Sequence, residues 1–181
     1  MAEVKPGTAL RKVYLRGSPQ RGGGLTIMVG KISVEIAVLK LPYNYTCDGD
    51  DISPAITLGG VDASVTKSLA VIVNDPDEPG GGDFTHWLIW NIEPVRIIPE
   101  AIAKEPEVSF PFAARQGKNS FGRIGYSGPC PPKGRDHRYE FKVFGLDAVL
   151  DLQAGAEKKA LLQAMEGHVV QYGETYVLYG R

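Results

Sequence analysis

Two aspartates and a histidine lie on either side of a break between two apolar segments. Asp75 and Asp77 follow an apolar run that starts at Ser68, and His86 lies in an aromatic and β-branched run that ends at Ile92. The prolines and three consecutive glycines between them interrupt regular structure, which predicts two strands joined by an acidic turn. Carboxylates beside an imidazole and aromatic side chains are typical of a small-molecule pocket. The alternative is a hairpin loop with solvated acidic side chains.

A second histidine lies on a segment of strict alternation. From Asp136 to Phe144 one parity carries charged side chains and the other carries His137, Tyr139, Phe141 and Val143. This period of two predicts a half-buried strand with His137 on its apolar face. A lone histidine in that position is usually a hydrogen-bonded core residue. The comparable place of His86 on another aromatic strand favours a functional role for both.

A proline-rich segment runs from Ser127 to Gly134 and includes Pro129, Pro131 and Pro132. Proline fixes φ and lacks a backbone donor, so the segment is predicted to be a stiff, extended wall. It is not a P-loop, because the spacing from glycine to lysine is wrong and no serine or threonine follows the lysine. An anion beside this wall would be bound by a few remaining amides and by side chains.

Several short strands and one late helix are predicted to position these residues. Alternation from Lys31 to Val38 predicts a half-buried strand, and residues 174–179 predict a final one. Residues 156–167 are rich in alanine, glutamate, lysine and leucine, which indicates a helix. The fold class is therefore mostly β with a sheet-on-sheet core. Residues 1–30 are interpreted as an N-terminal extension of a single domain at 31–181.

Composition excludes several classes of protein. Twenty basic side chains balance 21 acidic ones in 181 residues, which gives no indication of nucleic acid or an anionic membrane surface as a partner. The apolar run Leu25 to Val29 is too short for a signal peptide or a membrane span, so a cytoplasmic location is expected. Cys47 and Cys130 form no C-x-x-C pair. Two unlinked thiols are the default, and a long-range disulfide is left open.

Four motifs in order resemble the phosphatidylethanolamine-binding protein family, and within it the bacterial and archaeal branch called Raf-kinase-inhibitor-like. They are Asp75-Pro76-Asp77, Phe84-Thr85-His86-Trp87, Gly128-Pro129-Cys130-Pro131-Pro132-Lys133-Gly134 and His137-Arg138-Tyr139. The resemblance covers Lys31 to Arg181. It implies a large antiparallel sheet packed on a smaller sheet, one C-terminal helix, and a pocket for small anions. The pocket residues that it implies are Asp75, Asp77, His86, Gly128, Pro129, Pro131, His137 and Tyr139.

These residues and the resemblance give one main functional hypothesis and two alternatives. The main one is a non-catalytic protein that binds phosphate or a phosphoethanolamine-like head group and regulates or inhibits a partner such as a kinase. The first alternative is a serine protease inhibitor that uses the loop Glu78 to Asp83 or the segment Ser109 to Asn119. The second is a small hydrolase that uses Asp75, His86 and His137 as a metal site or an acid–base pair.

No catalytic residue, cofactor or metal is predicted. The sequence has no H-E-x-x-H and no G-x-S-x-G element, so it indicates no metalloprotease site and no hydrolase nucleophile. The loops Glu78 to Asp83 and Arg115 to Asn119 are expected to be exposed. Homodimerisation or contact with a partner through either loop is left open.

Overall fold

Strands dominate the part of the chain that the structure describes. The computed structural model describes residues 11–12, 28–79 and 84–181. Its strands are β1 Arg11–Lys12, β2 Met28–Lys31, β3 Ser33–Glu35, β4 Ile56–Gly59, β5 Ser68–Asp75, β6 Phe84–Ile92, β7 Ile97–Ile98, β8 Glu107–Val108, β9 Ala114–Gln116, β10 His137–Leu146 and β11 Val169–Tyr179. A 3-10 turn at Tyr43–Tyr45 and helix α1 at Lys158–Met165 complete these elements.

The strands form a large and a small sheet, which confirms the predicted fold class. Over the described residues, the large sheet has the order β1-β2-β11-β10-β5-β6-β9-β8 and the small one the order β3-β4-β7. One feature differs from the prediction of an antiparallel large sheet. Strand β2 runs parallel to β11, with Gly30 opposite Gln171, so the sheet is mixed.

Strands β5 and β6 lie at the centre of the large sheet and are buried on both faces. Successive side chains point to opposite faces of a strand. Leu69, Val71 and Val73 therefore pack in the core between the sheets, whereas Ala70 and Ile72 pack in a second core beneath α1. Because neither face meets water, the sequence of β5 is a continuous apolar run instead of an alternating one.

The predicted single strand from Lys31 to Val38 is wrong, because the chain changes sheets at Ile32. The amide of Ile32 donates to the Tyr172 carbonyl in the large sheet, and β3 then pairs with β4 in the small sheet. A Cβ on Gly173 would lie 2.1 Å from the Ile32 carbonyl oxygen, so glycine permits this close crossing. The alternation did predict the inward side chains, with Ile32 buried.

The predicted helix is confirmed, but the expected exposure of Arg115 to Asn119 is wrong. Helix α1 lies within the predicted range and buries Leu161 and Met165. The segment 115–119 instead begins with the end of β9, and Gln116 is fully buried. The Gln116 side chain accepts a hydrogen bond from Trp87 Nε1 at 2.7 Å and donates to two backbone carbonyls. Those polar partners hold it inside the protein.

The question that the sequence left open about the two cysteines has an answer. Cys47 and Cys130 form a disulfide with their Cα atoms 5.4 Å apart. The loop Glu78 to Asp83 lies largely outside the described residues, as does most of the predicted extension 1–30, although Met28–Lys31 at its end forms β2. Within the described ranges, no helix is long and apolar enough to cross a membrane.

Candidate functional site

Three neighbouring strands bring the predicted site residues to one end of the large sheet. Asp75, the last residue of β5, lies opposite Phe84, the first residue of β6. Strand β10 pairs with β5 through Glu140 and Asn74, so its first residue, His137, lies beside the end of β5. The strand register therefore explains how side chains from three separate segments meet.

Asp75 and His137 form a buried pair. His137 Nδ1 lies 2.8 Å from Asp75 Oδ2, and the two side chains are 1% and 2% exposed. The second Asp75 oxygen accepts a hydrogen bond from the Asp77 amide at 2.8 Å. Both carboxylate oxygens are thus engaged, which fixes the imidazole with Nδ1 towards Asp75. His137 Nε2 is buried and has no hydrogen-bond partner among the described residues.

Tyr139 lies between the two histidines. Its ring stacks on His137 with centroids 6.4 Å apart and meets His86 edge-on at 5.2 Å. Its buried hydroxyl lies near Asp75 but makes no hydrogen bond of ordinary geometry within the described part of the chain. Burial, and then the negative charge of Asp75, raise the pKa of Tyr139. The hydroxyl therefore keeps its proton and remains a donor.

His86 is held by the backbone of Ser127. Its Nδ1 lies 2.7 Å from the Ser127 carbonyl oxygen, and the Ser127 amide donates back to the His86 carbonyl at 3.0 Å. The proton is therefore on Nδ1, and Nε2 carries a lone pair. Burial lowers the pKa of His86 from its ordinary value of 6.5, because desolvation disfavours the charged imidazolium.

Aromatic side chains make the outer wall of this cluster. Phe84 lies 5.3 Å from the His86 ring and Phe121 lies 5.5 Å from it, both measured between centroids. Phe121 is 41% exposed, and the Arg123 guanidinium lies 6.0 Å from its ring. The sequence predicted Phe84 as an apolar wall but gave no indication that Phe121 and Arg123 would join it.

The proline-rich wall is buried at 127–129 and at Pro131, and it offers fewer free groups than predicted. The Gly128 amide already donates to Asp51 Oδ1 at 2.5 Å, so an anion could use this amide only by displacing Asp51. A Cβ on Gly128 would lie 2.5 Å from the Tyr45 carbonyl oxygen, so glycine is required for this approach. Pro129 and Pro131 are buried, and the Pro129 carbonyl accepts the Cys47 amide.

Asp77 takes part in backbone positioning. Its Oδ2 accepts the Arg138 amide at 2.8 Å, which fastens the start of β10 to the turn after β5. The remaining polar neighbour is Glu78, which is half-buried. One donor atom from each of Asp75, Glu78 and His137 lies within 4.8 Å of the others. The metal site that the sequence suggested consisted of Asp75, His86 and His137, whereas this group has Glu78 where that site had His86. A cation bound there would compete with the hydrogen bonds that the Asp75 carboxylate accepts.

Sequence reasoning missed Asn119, which organises the loop beneath the site. Its Oδ1 accepts the amides of Phe121 and Arg123, and its Nδ2 donates to the Gly125 carbonyl and to Ser127 Oγ. Asn119 is 4% exposed. The sequence Asn-Ser-Phe-Gly indicated a turn, and an asparagine within a turn often accepts hydrogen bonds from the backbone amides of its loop. Nothing in the sequence linked it to His86.

Comparison with known proteins shows the family of the chain. The family model described as phosphatidylethanolamine-binding protein matches residues 36–180. The chain belongs to the phosphatidylethanolamine-binding protein family. Its relatives include a UPF0098 protein of Pyrococcus horikoshii, which is 52% identical over 162 residues that cover 88% of this chain and 81% of the relative.

Two solved structures of this family share the fold. A homologue from Chlamydia trachomatis superimposes with a TM-score of 0.72 and 34% identity, covering 83% of this chain and 97% of the homologue. Escherichia coli YbcL, described as a member of the mammalian phosphatidylethanolamine-binding protein family, gives a TM-score of 0.74 and 30% identity. That match covers 83% of this chain and 98% of YbcL.

Proposed function

We propose that this family member binds a small anion, phosphate or a phosphoethanolamine-like head group, without catalysis, and thereby regulates or inhibits a partner protein. One observation carries the proposal. His137 Nε2 and the Tyr139 hydroxyl are both buried and lack hydrogen-bond partners among the described residues, side by side at the end of the sheet. Unsatisfied buried polar atoms are rare in folded proteins, and a bound anion would satisfy both.

The charges of the cluster favour a zwitterion or an anion that binds together with a proton. A bare anion is repelled by the carboxylates of Asp75 and Glu78. With both ring nitrogens protonated, His137 would donate Nδ1–H to Asp75 and Nε2–H to the ligand. His86 Nε2 would take up a proton before it could donate. In phosphoethanolamine the ammonium would lie towards Asp75 and the phosphate towards the two imidazoles.

The same contacts argue against a hydrolase of the serine type. The Asp75–His137 pair has the arrangement of a carboxylate and a general base. A hydrolase of the serine type also needs a hydroxyl that donates to the free imidazole nitrogen. His137 Nε2 has no such donor among the described residues, and Ser127 Oγ instead accepts from Asn119. Binding is therefore better supported than catalysis by a serine nucleophile.

Calorimetry with inorganic phosphate and with phosphoethanolamine tests this function. Affinity should rise as the pH falls from 8 to 5.5, with uptake of a proton, because the Nε2 atoms of His86 and His137 donate to a ligand only when the imidazoles are charged. The variants His86→Ala and His137→Ala should lose binding, whereas His168→Ala, which removes a half-buried imidazole that pairs with Asp147 just after α1, should keep it. Phosphate and phosphoethanolamine affinities that do not change with pH would contradict the role of the histidines.

A second candidate, inhibition of a serine protease, is favoured by one surface residue. Phe110 is 83% exposed in the segment between β8 and β9, within the range 109–119 that the sequence indicated. An exposed aromatic side chain suits the apolar specificity pocket of chymotrypsin. Titration of chymotrypsin with the wild-type chain and with Phe110→Ala tests it. Inhibition by both proteins, or by neither, would contradict this candidate.

A further inference from the structure

The disulfide lies within the wall of the proposed anion site. Cys130 is placed between Pro129 and Pro131, both buried, whereas Cys130 itself and Cys47 are exposed. Cys47 belongs to the loop after the 3-10 turn, and the two cysteines are 83 residues apart in sequence. An exposed disulfide is accessible to attack by an external thiolate.

A cation lies beside one of the two sulfur atoms. Arg181 Nη1 is 3.8 Å from Cys130 Sγ, and Asp48 Oδ2, 3.1 Å from Arg181 Nε, holds the guanidinium in place. A positive charge next to sulfur stabilises a thiolate. A more stable thiolate also leaves faster in thiol–disulfide exchange. Among the described residues this cation contacts Cys130 Sγ and not Cys47 Sγ, so the two sulfur atoms are chemically unequal.

The disulfide is linked to His86 through the wall. The Ser127 carbonyl that accepts His86 Nδ1 lies three residues before Cys130 in the same segment. Without the disulfide, the wall would be held to the Cys47 loop by hydrogen bonds such as Cys47 amide to Pro129 carbonyl and Gly128 amide to Asp51. Loss of the covalent bond would therefore loosen the support of the His86 imidazole.

We propose that the Cys47–Cys130 disulfide is a thiol-exchange site through which a small dithiol or monothiol lowers the affinity of the anion pocket. This inference rests on the proposed function for its second half. The external thiolate attacks Cys47 Sγ and forms a new S–S bond, while the Cys47–Cys130 bond breaks. Cys130 leaves as a thiolate beside Arg181.

With a dithiol the exchange then goes to completion. The second thiol of the reagent, as a thiolate, attacks the first sulfur atom of the reagent, which is bonded to Cys47 Sγ in the mixed disulfide. Cys47 is released as a thiolate and takes up a proton. The reagent becomes a cyclic disulfide and is oxidised by two electrons. The protein is reduced by the same two electrons, so the step needs no other reactant.

The site of attack is tested with the monothiol glutathione on the oxidised, full-length protein. Peptide mass spectrometry after acid quenching should find the mixed disulfide on Cys47. The rate of reduction by dithiothreitol should fall at least threefold in Arg181→Gln and recover in part in Arg181→Lys. The control Lys40→Gln, which removes an exposed cation paired with Asp136, should leave the rate unchanged. A glutathione adduct mainly on Cys130, or equal rates in all variants, would overturn the assignment.

The link to the pocket is tested by calorimetry with inorganic phosphate on the oxidised and the reduced protein. The dissociation constant should rise at least fivefold on reduction. The double variant Cys47→Ser/Cys130→Ser should match the reduced protein and ignore dithiothreitol. Equal binding by both redox forms would overturn the link and leave the proposed function standing. Binding by neither form would overturn both, while the glutathione result would still stand by itself.

Discussion

At the scale of single residues, the site contains polar atoms that the fold leaves unused. A buried polar group without a hydrogen bond costs roughly 1–3 kcal/mol. Among the described residues, His137 Nε2 and the Tyr139 hydroxyl are two such groups, and they belong to the same cluster. The protein recovers this free energy only when something binds there, so ligand binding should stabilise the fold.

Tyr139→Phe removes one unused atom and little else. Because the hydroxyl is buried and has no hydrogen bond to lose among the described residues, its removal should leave the free energy of unfolding unchanged or raise it, by up to about 1–3 kcal/mol. A hydrogen bond to a charged ligand contributes roughly 1.5–3 kcal/mol, so the dissociation constant of phosphate should rise by about tenfold or more. Urea denaturation and calorimetry measure the two effects.

Tyr126→Phe is the matched control for that change. The Tyr126 hydroxyl donates to the Tyr45 carbonyl at 2.8 Å, so the variant leaves an acceptor without its partner. Its stability should fall by about 1 kcal/mol while phosphate affinity stays the same. The reverse pattern, with Tyr139→Phe less stable and equally able to bind phosphate, would show that the Tyr139 hydroxyl has a structural role.

His86 should make stability depend on pH. Burial lowers the pKa of His86 in the folded protein below 6.5, the ordinary value expected for the unfolded chain. Below pH 6.5 the unfolded state therefore binds more protons than the native state, and the free energy of unfolding should decrease as the pH falls. His86→Asn should reduce this slope in urea denaturation between pH 7.5 and 5. An unchanged slope in His86→Asn would contradict the role of burial.

The sequence predicted which residue types form the site more fully than what they contact. Asp75, His86, His137 and Tyr139 all lie in one cluster, and each is on a strand that the sequence predicted. The contacts that engage Gly128 and Asp77 were not predictable. They depend on Asp51 and on the Arg138 amide, which approach from other parts of the chain only after folding.

At the scale of elements, the site depends on strand ends and on a bracketed loop. The register of β5, β6 and β10 places the side chains of Asp75, His86 and His137 at one end of the sheet. The loop that contains Asn119 positions the Ser127 carbonyl, which accepts a hydrogen bond from His86. Strands with two buried faces resist slippage because a shift by one residue would exchange the two core faces. The loop has no such protection and relies on its hydrogen bonds.

Asn119→Ala tests this dependence on the loop. The variant removes hydrogen bonds to two loop amides, to the Gly125 carbonyl and to Ser127 Oγ. At about 1 kcal/mol each, the free energy of unfolding should fall by roughly 2–4 kcal/mol. Phosphate affinity should also fall at temperatures where the variant is folded, because Ser127 would no longer hold His86 in place.

Ser120→Ala is the control for that loop variant. Ser120 Oγ accepts the Thr85 amide at 2.9 Å, so its loss should cost about 1 kcal/mol and leave phosphate affinity close to wild type. Equal effects of the two substitutions on affinity would contradict the specific role of Asn119.

Element boundaries divide into those that the pattern dictates and those that tertiary contacts dictate. Helix α1 and strand β10 follow hydrophobic periodicity, and strands β5 and β6 follow apolar runs on either side of a break rich in proline and glycine; all four were predicted. The change of sheet at Ile32 was not, because a period of two looks the same whichever sheet the strand joins. The burial of Gln116 was also missed. A polar side chain is buried where the folded chain supplies hydrogen-bond partners such as Trp87 Nε1, and the sequence does not show those partners.

At the scale of the whole molecule, sheet-on-sheet packing places the site at the rim of the fold. The cores on the two faces of the large sheet explain why its central strands are apolar on both sides. The small sheet was predicted from the resemblance of the motifs to a known family. The disulfide adds a covalent tie between the loop that precedes β4 and the wall that precedes β10. The spacing of the cysteines in sequence could not show that tie, since their proximity follows from the fold.

Reduction of the disulfide should weaken the fold without abolishing it. In the chain-entropy account, closing a loop of 83 residues stabilises a protein by about 4.5 kcal/mol through the unfolded state. The reduced protein and Cys47→Ser/Cys130→Ser should therefore unfold at lower urea concentration, by up to that free energy, with an unchanged far-UV spectrum. Both core clusters are built without the cysteines, so the reduced chain should still unfold in one cooperative step. Identical urea midpoints for the oxidised and the reduced protein would contradict the contribution of the disulfide to stability.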